Sequence, residues 1–412
     1  MAGQAGTAIL TLAAIRVITG VLSPEVFGMA VLFLAVLSLA KGLFVAPILA
    51  GVLRYDPRAV AQKTACDLYL AVGRLGALAL LAAGVASVSL AVLFGLRAPG
   101  LGLAWLVLAF AFWLSVDALM SLCLAVLNAR RLQGNLALLR IADSFARPTA
   151  AIILVVSVSS SALLYVAGRT AGAALLLLGI GVVLLPNVKR SRLLLNCSTH
   201  SVRAEWRTRL LQYGWPLIPV SILHWTIHLA DRFLLNGFHD SATVGVYAAS
   251  YALASQPFIM LSAALTMVLR PHMFEAADRS GESDEAVLLL RREWLKWLAV
   301  LGSGGIVLMV LLRQQIGILF LAPSYRGEAW LLVIIGGAYL LLAVGQLAEN
   351  YLLACERTRS VLQVSAWSTV VTLLGAVALI PRYAAYGAAW STVVGLGTYA
   401  GLMWRAQTSK AN

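Results

Sequence analysis

Residues 140, 143 and 147 read Arg, Asp and Arg, a spacing of i, i+3 and i+7. On an α-helix these positions share one face. One carboxylate cannot neutralise two guanidinium groups, so the face keeps positive charge. Its chemistry is anion binding, because an arginine fork makes bidentate, charge-assisted bonds to phosphate or carboxylate. Pro148 follows directly, where it can bend the helix beside that face. The plainer alternative is that Asp143 is paired internally and the face packs helices together.

A second constellation holds His224, His228 and Asp231 on one helical face, with Arg232 beside them. Histidine titrates near neutral pH, which suits proton coupling. The H-x-x-x-H spacing lacks the further ligands that a metal site needs, so no metal is expected. Asp117 and Glu349 are isolated acids in apolar surroundings. Each can exchange H⁺ or Na⁺, or pair with an arginine. Arg16, Lys41 and Arg169 are isolated cations in similar surroundings, and Arg169 is flanked by Gly168, Ala171 and Gly172. No phosphate-binding glycine loop, nucleophile elbow or zinc-spaced Cys/His cluster occurs, and no cofactor is expected.

The elements that position these residues are apolar. Of 412 residues, 61% are hydrophobic and 12% charged, with mean hydropathy +0.89. A soluble domain carries about 25% charged residues. Apolar runs of the length that crosses a bilayer recur from end to end. Backbone groups in lipid must be satisfied within the segment, so the runs are helices. The expected class is an all-α integral membrane protein of about twelve spans, near 5–22, 27–50, 70–95, 101–128, 136–158, 161–185, 211–235, 243–269, 294–321, 329–354, 359–381 and 384–404. The apolar N-terminus reads as the first span rather than a removed signal peptide.

The net charge of +14 would suggest nucleic acid in a soluble protein. Here it follows from loop asymmetry, and no nucleic acid is expected. With the N-terminus inside, nineteen of the 31 basic residues fall on the inner face, three on the outer face and nine within spans. That bias orients the chain, with both termini cytoplasmic. The cysteines Cys66, Cys123, Cys197 and Cys355 are expected as free thiols.

The chain also repeats itself. R16-VITGVLSPEVFG leads to VLR54, and R232-FLLNGFHDSATVG leads to VLR270. The two stretches stand at the start of each half. Two six-helix lobes are expected, 1–185 and 211–412, joined by a cytoplasmic inter-lobe loop at 186–210. Their parallel repeats would enclose a central cavity.

The same stretches resemble a known family. R16-VITGVLSPEVFGMAVLFLAV is similar to the first hairpin of Wzx-like polysaccharide flippases, in the multidrug/oligosaccharidyl-lipid/polysaccharide exporter superfamily. D231-RFLLNGFHDSATVGVYAASYALA resembles the start of that family's second half, and Y386-GAAWSTVVG its last helix. The resemblance implies alternating access and a substrate of polyprenyl-diphosphate-linked oligosaccharide, moved across a bacterial inner membrane. It implies H⁺ or Na⁺ as coupling ion, membrane lipids as surroundings, and polysaccharide polymerase and chain-length machinery as partners. It implies no enzymatic activity. The substrate-binding set expected on this reading is Arg16, Lys41, Arg140, Arg147, Arg169 and Arg232. The ion-coupling set is Asp117, Asp231, Glu349, His224 and His228. Three rivals remain at this stage: a drug or cation exporter of the same superfamily, a membrane glycan polymerase or ligase, and the murein-precursor flippase branch. That branch would usually have two helices more than the twelve expected in these 412 residues. Nine basic against four acidic residues in the spans argue against the first. Short outer loops argue against the second.

Overall fold

A computed structural model describes residues 2–93, 103–190, 200–280, 285–354 and 357–408, which are almost entirely helical and contain no strand. The first helices are α1 (Ala2–Val21), α2 (Pro24–Ala40), a π-helical turn (Lys41–Val45) and α3 (Ala46–Ala61). Next come α4 (Ala65–Leu93), α5 (Leu103–Ala129), α6 (Gln133–Ser157), α7 (Ala162–Arg190) and α8 (His200–Gly214). The rest are α9 (Leu217–Phe238), α10 (Ser241–Ser280), α11 (Glu285–Phe320), α12 (Trp330–Ala354) and α13 (Thr358–Thr408).

Eight segments among the described residues are long and apolar enough to cross a membrane. One is the continuous rod from α2 through α3, and another is α13. The α13 rod is two spans, because Ala384 breaks it with φ 47 and ψ −126, three residues after Pro381. The apolar part of α1 is shorter, and α6 and α9 carry charges that lower their hydropathy. With those three and the break in α13, the chain has about twelve transmembrane helices.

The π turn has a local cause. Pro47 has no N–H, and its ring crowds the carbonyl four residues back. The turn before it widens instead, and the Ala46 N–H reaches the Lys41 carbonyl. Lys41 therefore sits at an irregular turn inside a span.

Two expected loops differ. Residues 200–210 of the inter-lobe segment belong to α8, and residues 270–280 and 285–293 continue α10 and α11 as helix. Charge lowered the apparent span length there, although Arg, Glu, Leu and Ala are good helix formers. One thiol expectation also fails: Cys66 is disulfide-bonded, while Cys123 is free. Sequence spacing alone carries no information on that pairing.

The helices group into two compact units, residues 29–225 and residues 1–28 with 226–412. In the first, α8 lies on α3 and α4. Trp206 and Leu210 join Val52, Ala59, Ala65 and Leu68 in a buried cluster. Two fully buried carboxylates are paired there. Asp56 accepts from Arg130 Nε at 3.1 Å and Tyr69 Oη at 2.6 Å, and Asp67 accepts from Arg203 Nε at 3.0 Å. In the second unit, α1 packs on α10 and α11. The Tyr325 hydroxyl donates to the Leu22 carbonyl at 3.0 Å, and the Ala322 N–H to Thr19 Oγ1 at 3.2 Å. Gly28 lies directly on the Ser241 carbonyl, and Gly245 on the Pro24 carbonyl. A side chain at either glycine would collide with backbone.

Candidate functional site

The charged residues of the first unit converge from four elements. Lys41 comes from the π turn, Asp117 from the middle of α5, Arg147 from α6 and Arg169 from α7. Gly168 and Gly172 let α7 touch the α6 backbone at Ala151 and Ala146, which sets Arg169 beside Arg147's helix. Together these residues line a pocket of about 220 Å³, with Trp113 and Thr170 on its walls.

Asp117 is the hub. One oxygen accepts from Lys41 Nζ at 2.5 Å and the other from Arg147 Nη1 at 2.8 Å. Arg147 Nε also donates to Asp143 at 2.7 Å, the i, i+4 pair on α6. Among the described residues, the Arg169 guanidinium meets Tyr165, with the hydroxyl at 3.5 Å and the ring centroid at 5.9 Å. No carboxylate among the described residues lies within salt-bridge distance of it. Counting Asp143, the site holds three cations and two anions. An isolated intramembrane charge costs about 2.5–3.5 kcal/mol on insertion scales. Pairing offsets that for Lys41 and Arg147 but not for Arg169. An anion entering the pocket would supply the missing negative charge.

Of the expected binding residues, Lys41, Arg147 and Arg169 come together here. Arg140 is exposed on α6 and does not line the pocket. Arg16 is exposed on α1, and Arg232 is on α9; both belong to the other unit. Asp117, an isolated acid in the sequence, is the anion that binds two of the cations.

The second unit has its own polar cluster. Asp231 is buried, accepts from Tyr247 Oη at 2.5 Å and from the Arg232 backbone N–H at 2.9 Å. The Arg232 guanidinium lies 5.1 Å from the Tyr251 ring centroid, and its buried Nε has no hydrogen-bond partner among the described residues. Tyr251 and Tyr339 share a hydroxyl–hydroxyl bond of 2.7 Å, and His228 stacks on Tyr339. His224 lies on the part of α9 that groups with the first unit. Glu349 is apart from these, accepting from Tyr399 Oη at 2.7 Å. Sequence reasoning missed Tyr247 as the partner of Asp231 and Tyr251 as that of Arg232 and Tyr339. The i, i+4 spacing of Tyr247 and Tyr251 was the available signal, and tyrosines in an apolar helix read equally well as packing.

The chain matches the family described as polysaccharide biosynthesis protein over residues 17–320. No curated protein matches it. Among solved structures, it is similar to an inward-facing multidrug resistance MATE family transporter of the MOP superfamily. The TM-score is 0.68 at 16% identity, over 98% of this chain and 96% of that one. It is also similar to the lipid II flippase MurJ in an inward closed conformation. There the TM-score is 0.70 at 12% identity, over 98% and 86%. At these identities the likeness concerns the fold.

Proposed function

The chain belongs to the polysaccharide biosynthesis protein family, and from that premise we propose that it flips a polyprenyl-diphosphate-linked oligosaccharide from the cytoplasmic to the periplasmic leaflet. The observation that carries this reading is the positive pocket of Lys41, Arg147 and Arg169 around Asp117. A diphosphate needs several cationic donors to leave the headgroup layer, and arginine supplies them in matching geometry. In the low dielectric of a span the attraction is stronger than in water.

In this reading the protein is a multi-pass transporter of the bacterial inner membrane, with both termini cytoplasmic. Two six-helix lobes open alternately to either side. Arg16, Arg140 and Arg232 meet the headgroup at other points of the cycle. Asp231 or Glu349 exchanges the coupling ion, H⁺ or Na⁺, with His224 and His228 lining its route. Substrate must bind the two facing states differently for it to bias the cycle. An exporter of cationic drugs would want the opposite sign of pocket.

The test is deletion followed by analysis of lipid-linked intermediates. Accumulation of a completed repeat unit on the cytoplasmic leaflet is the expected result. Full glycan export by a double Arg140→Ala, Arg147→Ala variant would overturn the cationic-pocket mechanism.

A further inference from the structure

A larger cavity lies in the same unit, nearer the basic ends of its helices. It is a groove of about 750 Å³ between α5, α6 and α7. Leu122, Val126, Leu138, Leu175 and Gly179 form its apolar walls. Its polar groups are Tyr69, Arg130 and Asn135, all at the end where α4 begins, α5 stops and α6 starts. Arg130 donates Nε and Nη2 to Asp56, at 3.1 and 3.3 Å, and keeps further N–H donors. Arg131 is exposed beside it.

We propose that this groove is a binding site for an anionic phospholipid of the leaflet on the basic face, with one acyl chain along the apolar walls and the phosphate at Arg130 and Arg131. Three observations support that occupant. The walls belong to membrane-spanning helices, so lipid is the medium that meets them. The polar end lies at the edge of the spans and holds Arg130, paired with Asp56, beside the exposed Arg131. That net positive charge is of the kind by which basic pockets between helices hold anionic headgroups. The depth also fits. From Leu122 to Arg130 the helix rises about 12 Å, close to the roughly 15 Å of one hydrocarbon leaflet. A polyprenyl chain, several times longer, would not be contained. The site is separate from the charged pocket and does not depend on what that pocket transports.

Gly179 gives a clean probe, because a side chain there meets open space rather than protein. Gly179→Phe places a ring in the groove from a position whose Cβ meets no neighbour within 4 Å. The full-length protein is delipidated in detergent, and phosphatidylglycerol or phosphatidylcholine is titrated back under native mass spectrometry. The wild type should bind one phosphatidylglycerol about tenfold tighter than phosphatidylcholine. Gly179→Phe should weaken phosphatidylglycerol binding by about tenfold, and Arg130→Gln should erase the preference between the two lipids. Bound phosphatidylglycerol should also slow alkylation of Cys123, a free thiol in the groove wall, several-fold. Equal affinity for the two lipids, or unchanged binding by Gly179→Phe, would overturn the proposal. So would Cys123 reactivity that ignores the lipid, or a polyprenyl phosphate as the lipid retained from native membranes.

Discussion

Gly28 and Gly245 stand at matching places in the two halves, and each rests on the first turn of the other's helix. Gly28, in the second turn of α2, touches the carbonyl of Ser241, the first residue of α10; Gly245, in the second turn of α10, touches the carbonyl of Pro24, the first residue of α2. The contact is reciprocal, as in an interface with two-fold symmetry. Both neighbouring atoms are backbone, so neither can move aside for a side chain. Gly28→Leu and Gly245→Leu should each destabilise the protein by about 1–3 kcal/mol. Thermal unfolding in detergent would read this as a lowered Tm. An unchanged Tm in both variants would mean that the two helix starts do not hold each other.

Arg147 and Arg169 should separate stability from transport. Arg147 joins two carboxylates, so Arg147→Ala should lower both the Tm and glycan export. Arg169 has no carboxylate to leave behind. Arg169→Ala should leave the Tm unchanged or raised, because it removes a charge that no carboxylate among the described residues offsets, while export falls about tenfold or more. Normal export by Arg169→Ala would remove it from the binding set.

Asp56 is the structural counterpart. It is fully buried between Arg130 and Tyr69 and lines no charged pocket. Asp56→Ala leaves a guanidinium without its anion and should destabilise by about 3 kcal/mol. Arg130 is partly exposed, so the loss falls at the low end for such pairs. Retained yield and unfolding temperature in this variant would argue against the pair as an anchor of α3 to α5.

Asp240 gives a pH dependence outside the spans. Its carboxylate accepts from the Thr243 backbone N–H and hydroxyl, both at 2.7 Å, and caps α10. Those bonds hold its carboxyl below the usual range. A lowered folded value means that the stabilisation is present above the unfolded value, about 3.9, and is lost as pH falls through the folded value. Asparagine caps without titrating. The Tm advantage of wild type over Asp240→Asn should therefore be largest above the unfolded value and shrink as pH falls through the folded one. A constant difference across that range would show that the carboxylate charge contributes nothing.

What the sequence revealed follows from the range of each interaction. The Asp143–Arg147 pair is local, and helical period alone places the two side chains together. The small residues around Arg169 announced a close helix contact, which is the α6–α7 packing. Lys41 and Asp117 are 76 positions apart and look like unrelated isolated charges until α2 and α5 are set side by side. Asp56 and Asp67 sit near loops, where a carboxylate usually signals solvent, yet both are buried by the later return of chain at 130 and 203. The break in α13 matches the boundary between the expected spans 359–381 and 384–404, and Pro381 beside it is a residue that interrupts a helix from within. The long continuations of α10 and α11 were hidden, because hydropathy measures lipid contact and not helicity.

The π turn at Lys41–Val45 makes the second span unusually sensitive to length. A π turn holds one residue more than the α turn it replaces, which rotates all that follows by about 100°. Lys41 points into the charged pocket on one side of that offset. On the other side, Pro47 meets Gly214 and Gly51 meets Leu210. A single rod thus serves two partners on different bearings. Loss of one residue between 41 and 45 would act as a twist rather than a shortening, turning either the lysine from its pocket or the glycine from α8. Substitutions in this stretch should be accepted far more readily than any one-residue deletion.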